Sequence, residues 1–564
     1  MRHTVLTIFL ALLAGGAVFA QPKIGSVVNT ASYQTAPSDS KGNPIGNHVI
    51  PQGSIIAIFG TGLGPSQVTY PPGLPLPTAV PAANGTSVAI TSGGTKVDAY
   101  IVYTSALQVG AILPSNTPIG TATMTVTYNG KTSAEYTISV AESRLGLFTV
   151  NAQGYGSAAA QHGADSTPIL LSKAAHPGEV IVLYGTGLGP ISTADNVAPG
   201  SVQVGSNVVV TIAGQIVKPE YAGRSPSFAG LDQINFTIPA NVVTGCYVPL
   251  SVTASGQVSQ DVVLPVAKSG SDACTHIFGL SDSALATLDS GGTVNVGIFQ
   301  ILSAFVASLG GAVQGAGGLF DHGDANAVYN VYNLIPVAYG AVTYPAPLNK
   351  CVVIDQNITS GGFNLPPFNQ IGGTELVADA ITLMINGPGG ANANILRQTN
   401  GGYVSAFIPP ILGAGSWTIS GMGGADVGAF SATITLPDNL TWTNAGNFSS
   451  VPTGTDLTIA WTGGNTPSNP VVTVFGNSTI VNGADPSKTR GKSFYCAAPA
   501  SAGKFVVPAA VRAQLPSASS GEVAFGNLGI TTGGFASFTA PLTKGKLDGG
   551  VIDYGEAYVL AVTY

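Results

Sequence analysis

The stretch Ile58-Phe59-Gly60-Thr61-Gly62-Leu63-Gly64-Pro65 returns 125 residues later as Leu183-Tyr184-Gly185-Thr186-Gly187-Leu188-Gly189-Pro190. Three further pairs of residues keep the same offset: Gly53 and Gly178, Gln108 and Gln233, and Pro114 and Pro239. A repeat of this length has the size of a structural domain. The sequence therefore predicts that one domain has been duplicated in tandem.

Both copies of this glycine-rich motif follow an apolar, strand-like run, Ser54–Phe59 in the first repeat and Glu179–Tyr184 in the second. A glycine-rich loop after a strand is also typical of dinucleotide-binding domains, in which the loop opens a helix that faces the pyrophosphate. Here Pro65 and Pro190 follow the loops, and the next residues have no helical period. We therefore predict that the glycines supply positive φ angles for sharp turns between strands.

The composition of the chain favours strands over helices. Only 8% of its residues are charged, whereas Gly numbers 75 and Pro 38. Polarity comes mainly from Thr, Ser, Asn and Gly, which suit strands and tight turns. The run Thr121–Tyr128 alternates with period two and precedes the hairpin signal Asn129-Gly130. The predicted class is all-β, and Pro508–Leu515 is the one helical candidate.

The first twenty residues have the pattern of a secretory signal peptide. Arg2 and His3 precede the apolar run Val5–Ala14, and Val18-Phe19-Ala20 places small residues at a cleavage site. The apolar run is shorter than the ~20 residues needed to span a bilayer. The apolar stretch Ile298–Phe320 is interrupted by glutamines, serines and glycines, so we expect buried or irregular segments there. We predict an exported protein, secreted or at the cell surface, without a transmembrane span in the mature chain.

Shifts in composition divide the chain into five predicted parts. These are a signal peptide at 1–20, the two repeats at 21–141 and 142–267, a β-rich middle region at 268–437 and a C-terminal sandwich-like domain at 438–564. A Lys-Ser-Gly-Ser-Asp linker opens the middle region at residue 268.

Four cysteines are present, an even number that suits disulfides in an oxidising compartment. They are Cys246, Cys274, Cys351 and Cys496. Three pairings are possible, and we favour Cys246–Cys274 with Cys351–Cys496, because the first pair closes a short loop beside the second repeat. Neither CxxC nor CxxH occurs, so no metal site is predicted from the cysteines.

Other signals of chemistry are sparse. The net charge of −7 and only 19 basic residues argue against nucleic acid as a partner. Neither a G-x-S-x-G elbow nor an HExxH motif occurs, and we predict no catalytic residue and no cofactor. The dense polar segment Asp321-His322-Gly323-Asp324 is predicted to be an exposed turn. If it binds a cation instead, Asp321 and Asp324 are the ligands to test.

The three tryptophans have two interpretations. Exposed on a β-face, Trp417, Trp442 and Trp461 would stack on sugar rings and contact a carbohydrate ligand. However, each is in phase with an aliphatic neighbour two residues away: Ile419, Leu440 and Ile459, respectively. This alternation predicts that all three are buried in the core.

The duplicated segment resembles a family of secreted repeat proteins typical of acidobacteria. Their repeats are similar to IPT/TIG domains, a branch of the immunoglobulin-like fold. The resemblance covers about residues 25 to 274 and is carried by these segments: Asn29–Tyr33, Pro51–Gly64, Pro177–Gly189, Tyr221–Gly223 and Gln233–Asn235 with Pro239. The first repeat departs from the pattern at Gln108-Val109-Gly110.

The rest of the chain resembles the C-terminal parts of similar secreted proteins in these segments: Gly423–Phe430, Leu440–Asn444 and Trp461–Gly464. The fold class implied is tandem immunoglobulin-like sandwiches plus further β-rich C-terminal domains. IPT/TIG domains serve as surface, adhesion or spacer modules, and no established activity comes with either resemblance.

The leading function hypothesis is a non-enzymatic extracellular module for adhesion, binding or structural support. Its expected partner is an extracellular protein or a polysaccharide. A carbohydrate-binding protein is the first alternative and an extracellular hydrolase is the second. The hydrolase would require a pair of carboxylates in a cleft, or a Ser/His pair within hydrogen-bond reach.

Overall fold

The computed structural model describes most of the chain from residue 21 onward. The described residues are 21–33, 48–81, 84–204, 207–306, 311–333, 349–356, 374–379, 382–399, 401–448, 451, 454–465, 471–482 and 490–563. The predicted signal peptide lies outside them. Within the described part, no helix is long and apolar enough to cross a bilayer.

The first repeat folds as a sandwich of two sheets. Its strands are β1 Lys23–Asn29, β2 His48–Pro51, β3 Ile55–Thr61, β4 Ala79–Val80, β5 Thr86–Ser92, β6 Thr95–Asp98, β7 Tyr100–Thr104, β8 Gln108–Ile112, β9 Gly120–Tyr128, β10 Lys131–Thr132 and β11 Tyr136–Ala141. One sheet has the order β1-β3-β8-β7 and the other β2-β11-β9-β5-β4, with β6 and β10 paired to β5 and β9. Aliphatic side chains from both sheets, such as Ile56 and Met124, share one core.

The second repeat forms a second sandwich. Its strands are β12 Gly146–Leu147, β13 Ala160–His162, β14 Val180–Thr186, β15 Val202–Gln203, β16 Val209–Ile212, β17 Gln215–Val217, β18 Tyr221–Arg224, β19 Asp232–Thr237, β20 Gly245–Ala254, β21 Gln257–Val258 and β22 Val262–Val266. The sheets have the orders β12-β14-β19-β18-β15 and β17-β16-β20-β21. The chain therefore contains two tandem immunoglobulin-like sandwiches, as predicted.

The glycine-rich motif forms a turn after the strand in both repeats. Gly62 and Gly187 have φ angles of 65° and 104°, a region that only glycine enters without strain. Leu63 and Leu188 follow these glycines and are buried in the two cores. The next regular element after each turn is a strand, not a helix. The turn is confirmed, but positive φ angles occur at Gly62, Gly187 and Gly189 and not at Gly60, Gly64 or Gly185.

The remaining residues form a third, larger region. Its strands are β23 Val294–Val306, β24 Gly311–Gly323, β25 Cys351–Gln356, β26 Thr374–Glu375, β27 Thr382–Asn386, β28 Asn392–Arg397, β29 Tyr403–Ala406, β30 Gly415–Gly421, β31 Phe430–Leu436, β32 Thr441–Trp442, β33 Leu457–Thr462, β34 Val471–Asn482, β35 Arg490–Pro499, β36 Lys504–Val507, β37 Glu522–Ser537, β38 Pro541–Leu542, β39 Gly545–Lys546 and β40 Gly549–Val562. Thirteen of these strands form one sheet, in the order β25-β35-β34-β37-β40-β23-β24-β29-β28-β27-β30-β31 with β26 beside β24.

Among the described residues, three α-helices accompany this sheet: α1 Asp282–Asp289, α2 Ala325–Asn333 and α3 Ala509–Arg512. Short 3-10 turns occur at Pro388–Gly390, Ala445–Asn447 and Ala500–Ala502. Helix α3 lies within the predicted segment Pro508–Leu515, whereas α1 and α2 were not predicted. The stretch Ile298–Phe320, expected to be buried or irregular, contributes to the antiparallel pair β23 and β24.

The large sheet joins distant parts of the sequence. Strand β40, near the end of the chain, pairs in parallel with β23 from Val296↔Gly549 to Val306↔Val559. The sheet thus crosses the predicted domain boundary between residues 437 and 438. One face of this sheet packs on two apolar cores, one containing Trp417 and the other Trp442 and Trp461.

Both disulfides have the favoured pairing. Cys246 in β20 is joined to Cys274, in the segment that leads to α1. Cys351 and Cys496 lie opposite each other in β25 and β35. The first disulfide therefore connects the second sandwich to the third region, and the second holds β25 at one edge of the large sheet.

Candidate functional site

The junction between the two sandwiches is built around a buried ion pair. Arg224 and Asp232 lie opposite each other in β18 and β19 and are fully buried. The Arg224 guanidinium also donates to the carbonyl oxygens of Gly53 (3.0 Å) and Gly189 (2.8 Å). Asp232 accepts from the Leu188 N–H at 2.7 Å. One guanidinium thus ties the first repeat to the glycine-rich turn of the second.

Electrostatics and sterics both constrain this junction. Burial raises the pKa of Asp232, and the Arg224 guanidinium and the Leu188 N–H oppose that rise. A Cβ atom on Gly53 would lie 2.1 Å from a nitrogen of Arg224, and the φ angle of Gly53 is 67°. Glycine is therefore required at this position by both space and conformation. The residue of the first repeat that corresponds to Asp232 is Leu107, which lies 125 residues earlier. The first repeat therefore has no acid at this position.

The junction between the second sandwich and the third region is aromatic. Tyr247 of β20 packs edge-on against His276 and Tyr329, with ring centroids 5.1 and 5.2 Å apart, respectively, and Tyr332 lies 4.6 Å away. His276 accepts from the Phe278 N–H through Nδ1 (3.2 Å), so its Nε2 faces the Tyr247 hydroxyl (3.1 Å) as a donor. Burial lowers the pKa of His276 to about 3, which keeps the imidazole neutral.

A pocket of about 240 Å³ lies beside this aromatic cluster. Its walls come from the second sandwich, from the C-terminal end of α1 and from the first turn of α2. The apolar lining includes Val150, Ile169, Leu170, Leu171 and Leu288, and the rings of Tyr247 and Tyr329 complete it. We call this site the junction pocket.

The polar side chains of the junction pocket are two carboxylates, two amides and three hydroxyls, from these residues: Asp289, Asp324, Asn151, Asn326, Ser157, Tyr247 and Tyr329. Asp289 accepts hydrogen bonds from the Leu171 N–H (3.0 Å) and from the N–H and hydroxyl of Ser172 (2.8 and 2.6 Å). Asn151 donates to the side-chain oxygen of Asn326 at 2.9 Å, which links the second sandwich to α2. The pocket has no Lys or Arg among its lining residues. Its fixed charge is therefore negative.

Asp324 caps helix α2. Its Oδ1 accepts from the N–H groups of Asn326 and Ala327, both at 3.0 Å. This is the arrangement in which an Asp side chain satisfies the free N–H groups of a first helical turn. Both bonds use Oδ1, so within the described part of the chain Oδ2 of Asp324 has no hydrogen-bond donor.

The segment Asp321–Asp324 is not the exposed turn that was predicted. Asp321 to Gly323 end strand β24, and Asp321 is 4% exposed. Its Oδ2 is buried and lacks a hydrogen-bond partner among the described residues. Burial, and then the charge of Asp324, raise the pKa of Asp321 to about 7. The turn was predicted from Asp and Gly content, which does not reveal that β24 continues to Gly323.

His322 bonds to Thr293 and Asn295, at 2.9 and 2.8 Å, and not to either aspartate of the segment. The described residues contain no group of three or more His, Cys, Asp or Glu side chains that could hold a metal ion.

The three tryptophans are 1%, 3% and 2% exposed at 417, 442 and 461. Each indole N–H donates within the fold: to the Gly413 carbonyl, to the Asn444 side chain and to the Ala500 carbonyl, respectively. Their burial agrees with the alternation of the strands. The alternative that they contact a ligand is contradicted, because a buried indole presents no face to a sugar ring.

The residues of the junction pocket were missed in the sequence. The sequence did contain one signal for α1, because a serine followed by an acid, Ser281-Asp282, is typical of a helix start. In the structure Ser281 is the N-cap and accepts from the Ala284 N–H. Tyr247 and Asn151 carry no such signal, because they reach the pocket only when the second sandwich packs on the helices.

Comparisons with known proteins identify no family. No family profile matches the chain, and no curated protein matches it. Among solved structures, the plexin A4 extracellular region is 15% identical over 45% of this chain, with a TM-score of 0.15. The match spans 19% of the plexin chain.

In two further matches the aligned part covers most of the matched protein. SGBP-B from a xyloglucan utilization locus of Bacteroides uniformis is 12% identical over 69% of this chain and 86% of its own, with a TM-score of 0.17. Sidekick-1 immunoglobulin domains 1–4 are 11% identical over 94% of this chain and 99% of their own, with a TM-score of 0.12. At such scores these likenesses say nothing about function, and the fold assignment rests on the chain's own sheets.

Proposed function

We propose that this protein is an extracellular, non-enzymatic binding or structural scaffold. The observation that carries the proposal is the construction of its two junctions. The guanidinium of a buried ion pair in the second sandwich bonds to the first, and a disulfide with an aromatic cluster joins the second to the third region. Buried junctions of this kind hold consecutive domains in a fixed arrangement, which suits a scaffold that displays loops and pockets.

The extracellular location and the type of repeat are supported by the disulfides and by the sequence. Two disulfides are typical of proteins in oxidising compartments, and the pattern of residues 1–20 is that of a signal peptide. We further propose that the two sandwiches are IPT/TIG-like repeats of the acidobacterial type, on the basis of the residues that carry that resemblance.

A sedimentation experiment tests the proposed role. The mature, oxidised chain (residues 21–564) is mixed with insoluble cellulose, chitin, xylan and peptidoglycan, and both the pellet and the soluble products are measured. We expect the chain to sediment with one of these matrices without releasing soluble sugar. The matched control is the same chain with both disulfides reduced, which we expect to bind less.

Soluble sugar that accumulates in proportion to time and protein would overturn the proposal in favour of an extracellular hydrolase. Failure to sediment with any of the four matrices would overturn a role in binding these polymers.

A further inference from the structure

The junction pocket combines apolar walls with an uncompensated negative charge. Asp289 and Asp324 contribute two carboxylates, and none of the lining residues carries a positive charge. The hydrogen bonds that these two groups accept come from neutral backbone N–H groups and one serine hydroxyl. These bonds stabilise the carboxylates but do not neutralise them.

The orientation of α1 adds to this negative field. Asp289 is the last residue of α1, and the last turn of that helix contains no basic residue. The C-terminal end of a helix carries partial negative charge, which acidic side chains make worse and cations relieve. The dipole of α1 therefore adds to the negative potential at Asp289, and a nearby cation would be stabilised there.

A third carboxyl near the pocket responds to the same field. The charge of Asp324 contributes, after burial, to the raised pKa of Asp321, about 7. The pKa of Tyr247 is likewise raised, chiefly by burial, and a smaller part of the rise comes from the charge of Asp289. Burial is the main cause of both shifts, and the two aspartates of the pocket add to it in the same direction.

From this geometry we infer that the junction pocket binds a small organic cation, an alkylammonium group with an apolar body. The inference rests on the proposed binding role and specifies the chemical class of one ligand. The carboxylates of Asp289 and Asp324 attract the ammonium group. The tyrosine rings at 247 and 329 supply the π-faces that such cations prefer, and the leucine-rich wall accepts the alkyl part.

The size of the pocket restricts the ligand. Pockets for drug-sized molecules measure about 300–1,000 Å³, so a pocket of about 240 Å³ suits a smaller molecule. Choline and n-butylammonium are probes of this class. The alcohol 3,3-dimethyl-1-butanol has the shape of choline without its charge and is a matched neutral control.

The test is a titration of the mature, oxidised chain with choline, n-butylammonium, 3,3-dimethyl-1-butanol and methyl glucoside, followed by calorimetry or ligand-observed NMR. We expect the two cations to bind, the neutral isostere to bind more weakly, and added salt to weaken cation binding. Asp324→Asn removes one charge but keeps the helix cap, because Asn caps helices as well as Asp. We expect it to weaken choline binding about tenfold.

Asp282→Asn is the control variant, since it removes an exposed charge from the opposite end of α1. It should leave choline binding unchanged, and circular dichroism should show both variants folded. Equal binding of choline and its neutral isostere, choline binding that Asp324→Asn does not alter, or no binding of either cation at millimolar concentrations would each overturn the inference. Binding of methyl glucoside alone would assign the pocket to sugars instead.

These results are separable from the proposed function. A chain that sediments with a polymer but ignores cations refutes only the pocket inference, whereas release of soluble product refutes the proposed function.

Discussion

At the scale of single residues, the unusual feature is a set of ionisable side chains buried at the junctions. Asp321 is the clearest case, because its Oδ2 has no hydrogen-bond partner among the described residues and its pKa is raised to about 7. A carboxyl whose pKa is higher in the folded state than in the unfolded state binds more protons when folded. Its contribution to stability is therefore present at low pH and lost as the pH rises from about 4 through 7.

We predict that Asp321→Asn makes stability less dependent on pH. Near pH 4 the variant and the wild type should have similar free energies of unfolding, because Asp321 is protonated in the folded wild type. At pH 8 the variant should be more stable, by on the order of 2–3 kcal/mol, because asparagine avoids the cost of a buried charge.

Urea denaturation at several pH values measures this effect, with the exposed residue change Asp282→Asn as the control. A stability difference between Asp321→Asn and the wild type that is constant from pH 4 to pH 8 would contradict the assigned pKa.

At the scale of elements, the antiparallel strands β18 and β19 contain the ion pair that distinguishes the second repeat from the first. Both repeats have the Gly-Thr-Gly-Leu-Gly turn, and in both the leucine is buried. In the first repeat the Leu63 N–H donates to the carbonyl of Ala106 (3.0 Å), whereas in the second the Leu188 N–H donates to the Asp232 carboxylate. In the second repeat the acceptor is thus a carboxylate where the first repeat has a backbone carbonyl. The carboxylate of Asp232 adds a buried negative charge, which is paired with Arg224.

We predict that Arg224→Met destabilises the chain by about 3–5 kcal/mol, because it leaves the Asp232 carboxylate buried without its cation. The double variant Arg224→Met/Asp232→Leu should recover part of that loss, although the Leu188 N–H then lacks its acceptor. Denaturation followed by fluorescence measures both values.

The partly exposed ion pair of Arg397 and Glu375 is the matched control, and Arg397→Met should cost no more than about 1 kcal/mol. If the double variant were as unstable as the single variant, the charge of Asp232 would not be the cause.

At the scale of the whole molecule, sequence order and spatial order diverge after the second repeat. The cores of the two sandwiches lie entirely within residues 24–266. In contrast, the core that contains Trp417 also contains Ile552 and Tyr554 of β40. The middle of the large sheet is therefore completed only by β40, the last strand among the described residues, which pairs with β23.

We predict that a fragment of residues 21–267 with Cys246→Ser folds by itself, whereas a fragment of residues 21–437 does not fold its third region. The second fragment lacks β34, β35, β37 and β40 and leaves the edge of β23 unpaired. Calorimetry and limited proteolysis should show one protected unit ending near residue 267 in both fragments, and the intact chain is the control. A protected third region in the 21–437 fragment would show that the predicted boundary at 437/438 separates independent domains.

Local patterns sufficed for much of this architecture. The repeated motif predicted the two sandwiches and their turns, because a positive φ at Gly62 and Gly187 depends on the glycines themselves. Alternation with an aliphatic neighbour predicted the burial of Trp417, Trp442 and Trp461, because side chains of a strand point to opposite faces in turn. The even set of cysteines was enough to anticipate two disulfides.

Long-range packing decided the rest. No local pattern shows that β40 lies beside β23, because strand pairing is chosen by the energy of the whole sheet and leaves little trace in either strand. The exposed turn predicted at Asp321 became a buried strand end for the same reason. The sequence by itself determined the all-β class, the duplication and the inward faces, since these depend on neighbours in the chain. Only the tertiary structure decided the junctions and the junction pocket, since Tyr247, Asp289 and Asp324 meet only when three separate elements pack together.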